Sequence, residues 1–362
     1  MARILLLPGD GIGPEVLDAA RLVLDRLAAR SGFDLAYEEA AIGGDAIERF
    51  GTPLPEPTLA AAGAADALLL GAVGGPQWND LPGEKRPEAG LLALRRALGL
   101  YANLRPVRVH PAAIEASPLR PEVVRGTDLL FVRELTGGLY FGARRRDAEA
   151  AEDVCRYTQE EIARVARRAA GLARTRRGRL TLIDKANVLE TSRLWREVTG
   201  RIIAEEFADL DFAILLVDAA AMCLMTRPRT FDVIVTENLF GDILSDEASV
   251  LAGSIGLLGS AALGDGARGL YEPVHGSAPD IADQGIANPV GMIESVAMML
   301  ELSLGRREDA ALVRKAVDAV LAQGVRSHDL GGDATTMAIA TAVADRLSEN
   351  WESRHDADRI VP

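Results

Sequence analysis

Gly9-Asp10-Gly11-Ile12-Gly13-Pro14-Glu15 joins the short apolar run Arg3–Leu7 to a segment, Pro14–Arg30, whose apolar residues Val16, Ala20, Val23, Leu24 and Leu27 recur at helical spacing. A strand, a glycine turn and a helix in that order invite a dinucleotide-binding reading. Its fingerprint is Gly-x-Gly-x-x-Gly, with the third glycine allowing close packing of helix on strand. Here Pro14 occupies that third position. Proline suits the first position of a helix and Glu15 its first turn. The segment therefore reads as a tight strand-to-helix turn, and a Rossmann fold is set aside.

Working outward, strand-like runs alternate with helical ones. Strands are expected at Ala67–Leu70, Leu129–Val132, Leu180–Ile183, Ala213–Val217 and Val233–Thr236. Helices are expected at Gly90–Leu98, Gln159–Thr175, Ser192–Phe207, Asp242–Ala252, Pro289–Leu304 and Ala310–Gln323. Such alternation is the pattern of an α/β fold. Residues 105–127, rich in Pro and Arg, read as a crossing between two lobes, and the polar end from Trp351 reads as frayed. At roughly 150 residues per domain, the 362-residue chain has length for about two.

Composition removes several function classes. Hydrophobic residues make up 48%, enough to bury a core. Forty basic residues against fifty-three acidic leave a net charge of −13, the wrong sign for nucleic acid or an anionic membrane. No apolar run approaches the roughly 20 residues that span a bilayer, and Met1–Pro8 is too short for a signal peptide, so a soluble cytoplasmic protein is expected. Cys155 and Cys223 alone give neither a disulfide framework nor a thiolate zinc site.

Within this frame a few residues carry chemistry. Gly71-Ala-Val-Gly-Gly-Pro76 and His275-Gly-Ser-Ala-Pro-Asp-Ile281, followed by Gly285-Ile-Ala-Asn-Pro289, are small-residue clusters that let a nucleotide approach the backbone, though each alone would be only a turn. Arg133 lies inside the apolar run Leu129–Leu135, where an unpaired charge is costly, so an anion should meet it. Arg95 and Arg105 also have apolar neighbours. If the three converge, they describe a site for a small polyanionic acid. Asp242 and Asp246 fall on one helix face, where they repel unless a cation lies between them. With Asp218, at the end of Ala213–Val217, they offer hard oxygen ligands suited to Mg²⁺ or Mn²⁺, against the plainer reading of Asp242 as a helix cap. Lys185 is one of only three lysines in an arginine-rich chain and follows a strand. Its amine can exchange a proton where arginine could not. Tyr140, on the glycine-rich segment Gly137–Gly142, offers a phenol or is simply a packed aromatic.

Five segments together resemble the β-decarboxylating hydroxyacid dehydrogenases, the isocitrate/isopropylmalate dehydrogenase family. They are Gly9–Glu15, Val132–Gly142, Asp184–Val188, Asn238–Asp246 and Glu272–Ala282. The resemblance runs in order from about residue 3 to 304. It implies a two-lobed α/β fold with a central mixed sheet, distinct from the Rossmann fold. Residues 1–100 and 253–362 would form a discontinuous cofactor-binding lobe, and residues 101–252 a lobe for substrate, metal and dimerisation.

Carried residue by residue, the resemblance implies that Arg95, Arg105 and Arg133 hold the carboxylate that leaves as CO₂. Asp218, Asp242 and Asp246 would bind the divalent metal, with Asp218 also touching substrate. Lys185 would help remove the hydroxyl proton and Tyr140, beside it, would protonate C3. Lys185 and Asp218 would serve the neighbouring subunit, making a homodimer with shared active sites. Gly75, Pro76, Glu88, His275, Gly276, Ser277, Ala278, Pro279, Asp280, Ile281, Ala282 and Asn288 would cradle the cofactor. Asp280 with Ile281 suits NAD, since a carboxylate can accept from the ribose 2′-hydroxyl and repels a 2′-phosphate. Glu88, Leu91, Leu92 and Val188 would meet an isopropyl group. The implied reaction is oxidative decarboxylation of 3-isopropylmalate to 4-methyl-2-oxopentanoate with NAD reduction, a step of leucine biosynthesis. D-malate or tartrate as substrate, or a catalytically silent nucleotide-binding paralogue, are the alternatives. Ala220, Gly259, Ala262 and Glu237 depart from the usual family pattern.

Overall fold

A computed structural model describes residues 1–348; the expectation for the chain beyond Trp351 lies outside them. In chain order the elements are β1 (Ala2–Gly9), α1 (Gly13–Ser31), β2 (Leu35–Glu39), α2 (Gly43–Phe50), α3 (Glu56–Ala64), β3 (Ala67–Ala72) and α4 (Pro87–Ala97). There follow β4 (Ala102–Arg108), α5 (Pro121–Val124), β5 (Asp128–Glu134), β6 (Arg144–Arg146), β7 (Ala151–Asp153), α6 (Gln159–Arg174), β8 (Arg179–Asp184) and α7 (Glu190–Glu206). The remainder is β9 (Asp211–Leu216), α8 (Val217–Thr226), β10 (Val233–Thr236), α9 (Asn238–Ser249), β11 (Gly259–Leu263), β12 (Gly269–Pro273), α10 (Val290–Leu302), α11 (Arg307–Ala322) and α12 (Thr336–Ser348).

The chain divides into two compact units. Unit 1 is Met1–Leu94, Gly256–Gly259 and the chain from Ala267; unit 2 is Arg95–Ile255 with Ser260–Gly266. The inclusion of 260–266 in unit 2, where the sequence suggested the other lobe, follows from antiparallel pairing of Ala261–Leu263 with Leu104–Ala102.

In unit 1 the strands run β2-β1-β3-β12, with β1 parallel to β2 and β3, and β12 parallel to β3. Every residue of β3 is buried, as a parallel strand covered on both faces requires. Helix α1 buries Val16, Val23, Leu24 and Leu27 along one stripe. The opening turn shows why its glycines are there. A side chain on Gly9 would collide with Ala72 O, and one on Gly11 with Ser277 O. The N–H groups of Asp10 and Ile12 are given to those same two carbonyls, each at 2.8 Å. This turn serves backbone packing, consistent with a non-Rossmann reading.

In unit 2 the strands run β11-β4-β5-β10-β8-β9. The first two pairings are antiparallel and the remaining three parallel, so the sheet is mixed. Three expectations are corrected here. Residues 102–108 form β4, because Val107 and Leu104 are core residues paired against β5, and the part beyond holds only short helical turns, α5 among them, before β5. Strand β9 is an edge strand, exposed or half-exposed along its length, and Asp218 stands in the first turn of α8 instead of ending a buried strand. Helix α9 begins at Asn238, with Glu237 as its cap, so Asp242 lies a turn inside and is no cap.

Candidate active site

Unit 2 brings five of the expected side chains into one cluster. Arg133, from β5, is only 3% exposed. Its Nε donates to Asn238 Oδ1 at 2.9 Å and its Nη1 to Asp242 Oδ1. Helix α9 can approach that closely because residue 241 is glycine; a Cβ there would stand 2.7 Å from Arg133 Cγ. Arg105, from β4, donates to Asp246 Oδ1 at 2.7 Å, Ser245 Oγ at 2.8 Å and Asp242 Oδ1 at 3.5 Å, with its Nε on Asn103 at 2.8 Å. The repelling aspartates of α9 therefore share a cation, and it is this guanidinium. Tyr140 donates to Asp242 Oδ2 at 2.6 Å, its ring centroid 5.6 Å from the Arg133 guanidinium carbon. Arg95, buried near the end of α4, adds its repulsion to Arg133.

The electrostatics follow from crowding like charges in a dry place. Burial, then the charge of Arg105, pushes Arg133 down to about 10. Burial also pushes Asp242 up, but Arg133, Tyr140 and Arg105 together outweigh it and hold the carboxyl below its usual range. Asp246 moves the other way, raised by burial and by Asp242 against the pull of Arg105. Tyr140 is pushed up to about 12 by burial and by its bond to Asp242, so its proton stays in place at neutral pH.

Lys185 and Asp218 form a separate pair, Nζ to Oδ1 at 2.9 Å, and this bond holds Asp218 below the usual carboxylate range. Ser192 Oγ takes the Lys185 N–H at 3.0 Å, while buried Asp184 receives the Ala186 N–H and a bidentate Arg196. Val188, in the turn after Lys185, is 63% exposed. Among the described residues, no three carboxylate, imidazole or thiol groups form a cation cage. One chain thus assembles Asp242 with Asp246 and leaves Asp218 on Lys185. Within one chain the Tyr140 phenol bonds to Asp242 and the Lys185 amine to Asp218.

Unit 1 holds the glycine-rich segments. Glu88, Leu91 and Leu92 lie on α4, with Leu91 buried, and the Glu88 carboxylate fills the space beside Gly74, 2.7 Å from where a Cβ would stand. The segment 276–288 is tied down from three distant places. Glu15 receives the N–H groups of Gly285 and Ala287 at 3.2 and 3.3 Å, Thr336 donates to Ala287 O at 2.8 Å, and Asp329 receives the Asn288 amide at 3.0 Å. Ala278 and Asp283 take positive φ within it, and no atom lies within 4 Å of a Cβ built on Gly276. His275 Nε2 is enclosed without a hydrogen-bond partner, and burial pushes the imidazole down, toward its neutral form. Asp280 is exposed.

Both groups implied by the fold fit these residues. Asp242 and Asp246 are hard oxygen donors four residues apart on one helix, the donor type a divalent cation takes, and the charge they share is here met by the Arg105 guanidinium. An open glycine backbone beside an unpartnered imidazole nitrogen suits a flat nucleotide with hydrogen-bonding edges.

Several functional residues were not picked out from the sequence. Asn238, Ser245 and Asn103 orient the two arginines, and Asp10 receives the N–H groups of Gly44, Asp45 and Gly74 at 2.7–2.8 Å. A carboxylate between Gly9 and Gly11 was a usable signal for Asp10. Asp329 and Thr336 carry no local mark.

Comparison with known proteins adds the family. The sequence model described as isocitrate/isopropylmalate dehydrogenase matches residues 3–345. The 3-isopropylmalate dehydrogenase of Anaeromyxobacter dehalogenans is 53% identical over 352 residues, 96% of this chain and 99% of that one. That of Halalkalibacterium halodurans is 53% identical over 359 residues, 98% and 99% of the two chains. Among solved structures, isocitrate dehydrogenase from Methylococcus capsulatus superposes with a TM-score of 0.86 at 39% identity, covering 96% of this chain and all of that one. A β-decarboxylating dehydrogenase from Thermococcus kodakarensis, in its apo form, gives 0.79 at 38%, covering 100% and 99%. With guanidiniums, paired aspartates and a phenol gathered in unit 2 and this likeness extending over nearly its whole length, the chain belongs to the isocitrate/isopropylmalate dehydrogenase family.

Proposed function

We propose that the protein is an NAD- and divalent-metal-dependent dehydrogenase that converts 3-isopropylmalate to 4-methyl-2-oxopentanoate and CO₂, a step of leucine biosynthesis in the cytoplasm. The single observation that carries the reading is the Arg105–Arg133–Asp242–Asp246–Tyr140 cluster. It joins an anion grip, a hard-cation seat and a proton donor within one unit. No helix among the described residues is long and apolar enough to cross a membrane.

Arg95, Arg105 and Arg133 bind the carboxylate that is lost, holding it by bidentate contacts a lysine could not match. Asp242 and Asp246, joined by the partner subunit's Asp218 in a homodimer, seat Mg²⁺ or Mn²⁺. Gly75, Pro76 and Glu88, with residues 275–282 and Asn288, seat NAD, and Asp280 meets the ribose. When bound, the cation supplies Lewis-acid polarisation of the C2 oxygen and NAD supplies the hydride acceptor. Lys185 takes the C2 hydroxyl proton, and Tyr140 delivers one to C3 after the carboxylate leaves, so the proton count closes. Leu91 and Leu92, together with Val188, offer apolar contact to the isopropyl group, which favours this substrate over isocitrate with its third carboxylate.

A steady-state panel of 3-isopropylmalate, D-malate, tartrate and isocitrate, run with NAD and NADP side by side, tests the proposal. The highest kcat/KM is expected for 3-isopropylmalate with NAD. A higher value for D-malate, or no NADH formed with any of them in Mg²⁺ or Mn²⁺, would overturn it.

A further inference from the structure

Tyr157 is buried, 6% exposed, just before α6, and the chemistry above gives it no task. Its hydroxyl donates to Glu237 Oε2 at 3.0 Å and accepts the backbone N–H of Asn238 at 3.0 Å. Glu237 in turn caps α9, its Oε1 receiving the Phe240 N–H at 2.8 Å. Asn238 divides its side-chain amide between two parts of the site. Oδ1 receives Arg133 Nε at 2.9 Å, and Nδ2 donates to Gly137 O at 3.1 Å.

The ring itself supports the turn that carries Tyr140. A Cβ on Gly137 would lie 2.6 Å from Tyr157 Cε1, and one on Gly138, where φ is +72°, would collide with the Tyr157 hydroxyl. Trp195 closes on the ring edge-on, centroids 5.4 Å apart. Glu134 fastens the same turn by receiving the Thr136 and Gly137 N–H groups at 2.9 and 2.7 Å.

One phenol therefore holds three parts in register: the first residues of α9, the amide that steers Arg133, and the turn that presents Tyr140. We infer that Tyr157 is a positioning residue for proton delivery by Tyr140, fixing the Gly137–Tyr140 turn against the start of α9. This rests on the role proposed for Tyr140. A ring that only filled space would serve equally as phenylalanine; a ring that sets this register needs its oxygen, which both donates and accepts.

Single-turnover experiments on Tyr157→Phe with 3-isopropylmalate, NAD and Mg²⁺ separate the two steps. NADH absorbance follows hydride transfer, and quenched samples follow formation of 4-methyl-2-oxopentanoate. Hydride transfer is expected to stay within about threefold of wild type, while product formation slows by roughly 10–100-fold, the cost of a misplaced catalytic group. The undecarboxylated 2-oxo diacid should accumulate between them. Glu237→Gln, which keeps an acceptor for the α9 cap, should split the rates in the same direction by less. Rates that stay together, whether both unchanged or both reduced, overturn the inference. Should Tyr157→Phe fail to fold by circular dichroism, Glu237→Gln decides, and unsplit rates there overturn it equally. Wild-type protein that forms no NADH from this substrate removes the activity and the inference together, a result no variant can mimic.

Discussion

The Tyr140 hydroxyl donates to one oxygen of Asp242 at 2.6 Å, while the other oxygen takes the Arg133 guanidinium. A single carboxylate therefore joins the phenol proposed to deliver a proton to the arginine proposed to grip the departing carboxylate. It also fixes the protonation of both neighbours, because its charge favours a protonated phenol and a charged guanidinium alike.

Removing that charge should release the phenol. Burial, then the Asp242 bond and charge, push Tyr140 from 10.0 up to about 12. The folded state thus prefers the protonated phenol. Its contribution to stability is complete below the unfolded value and is lost as pH rises through about 12. In Asp242→Asn, ultraviolet phenolate titration should show one tyrosine ionising nearer its ordinary value, and Tyr140→Phe in that background should abolish the step. A titration curve superimposable on wild type would show that Asp242 does not govern this group.

Lys185→Met should lower kcat by about 10³-fold, the scale of a lost proton-transfer group, with NADH binding by fluorescence nearly unchanged. Because Lys185 and Asp218 bond to each other and not to the Arg133 cluster within one chain, the proposed shared-site dimer makes a second prediction. Lys185→Met and Arg133→Ala, each inactive alone, should recover roughly a quarter of wild-type activity when co-expressed, since half the dimers in a statistical mixture contain one intact site. No recovery in verified mixed dimers would place Lys185 in its own subunit's site.

Asp10 is 5% exposed and receives three backbone N–H groups, two from the first turn of α2 and one from Gly74 after β3. Asp10→Ala leaves those donors buried without their acceptor and should cost about 2–4 kcal/mol in urea unfolding, with Asp10→Asn costing less. Both should raise KM for NAD more than they lower kcat, because the Gly74–Pro76 turn is among the segments released. Equal stability of Asp10→Ala and wild type would show that the three bonds carry no net weight.

Glu237 illustrates where local reading stops. Before a helix start it is legible as a charge, and the structure makes it the α9 cap at 2.8 Å and a partner of Tyr157 at 3.0 Å, buried with its carboxyl pushed up. Gly259 is similar. A Cβ there would stand 2.6 Å from Ser295 N, a constraint set by a helix more than thirty residues later. Strand β4 was missed for the same reason: Arg105, Pro106 and Arg108 disguise a run in which each residue lies opposite one of β5.

The amino-acid order alone determined the alternation of strands and helices, the rejection of a Rossmann turn at Pro14, and the types of groups available. It also determined the i,i+4 placement of Asp242 and Asp246, since 3.6 residues per turn fixes such spacing without reference to anything else. The tertiary structure decided which of those groups meet: that Arg105 bridges the aspartates, that Tyr140 rests on Asp242, and that Lys185 pairs with Asp218. Hydrogen bonds and charge contacts act over a few ångströms in space. Residues more than a hundred positions apart become neighbours only once the sheet register and the packing of α9 on β5 are set.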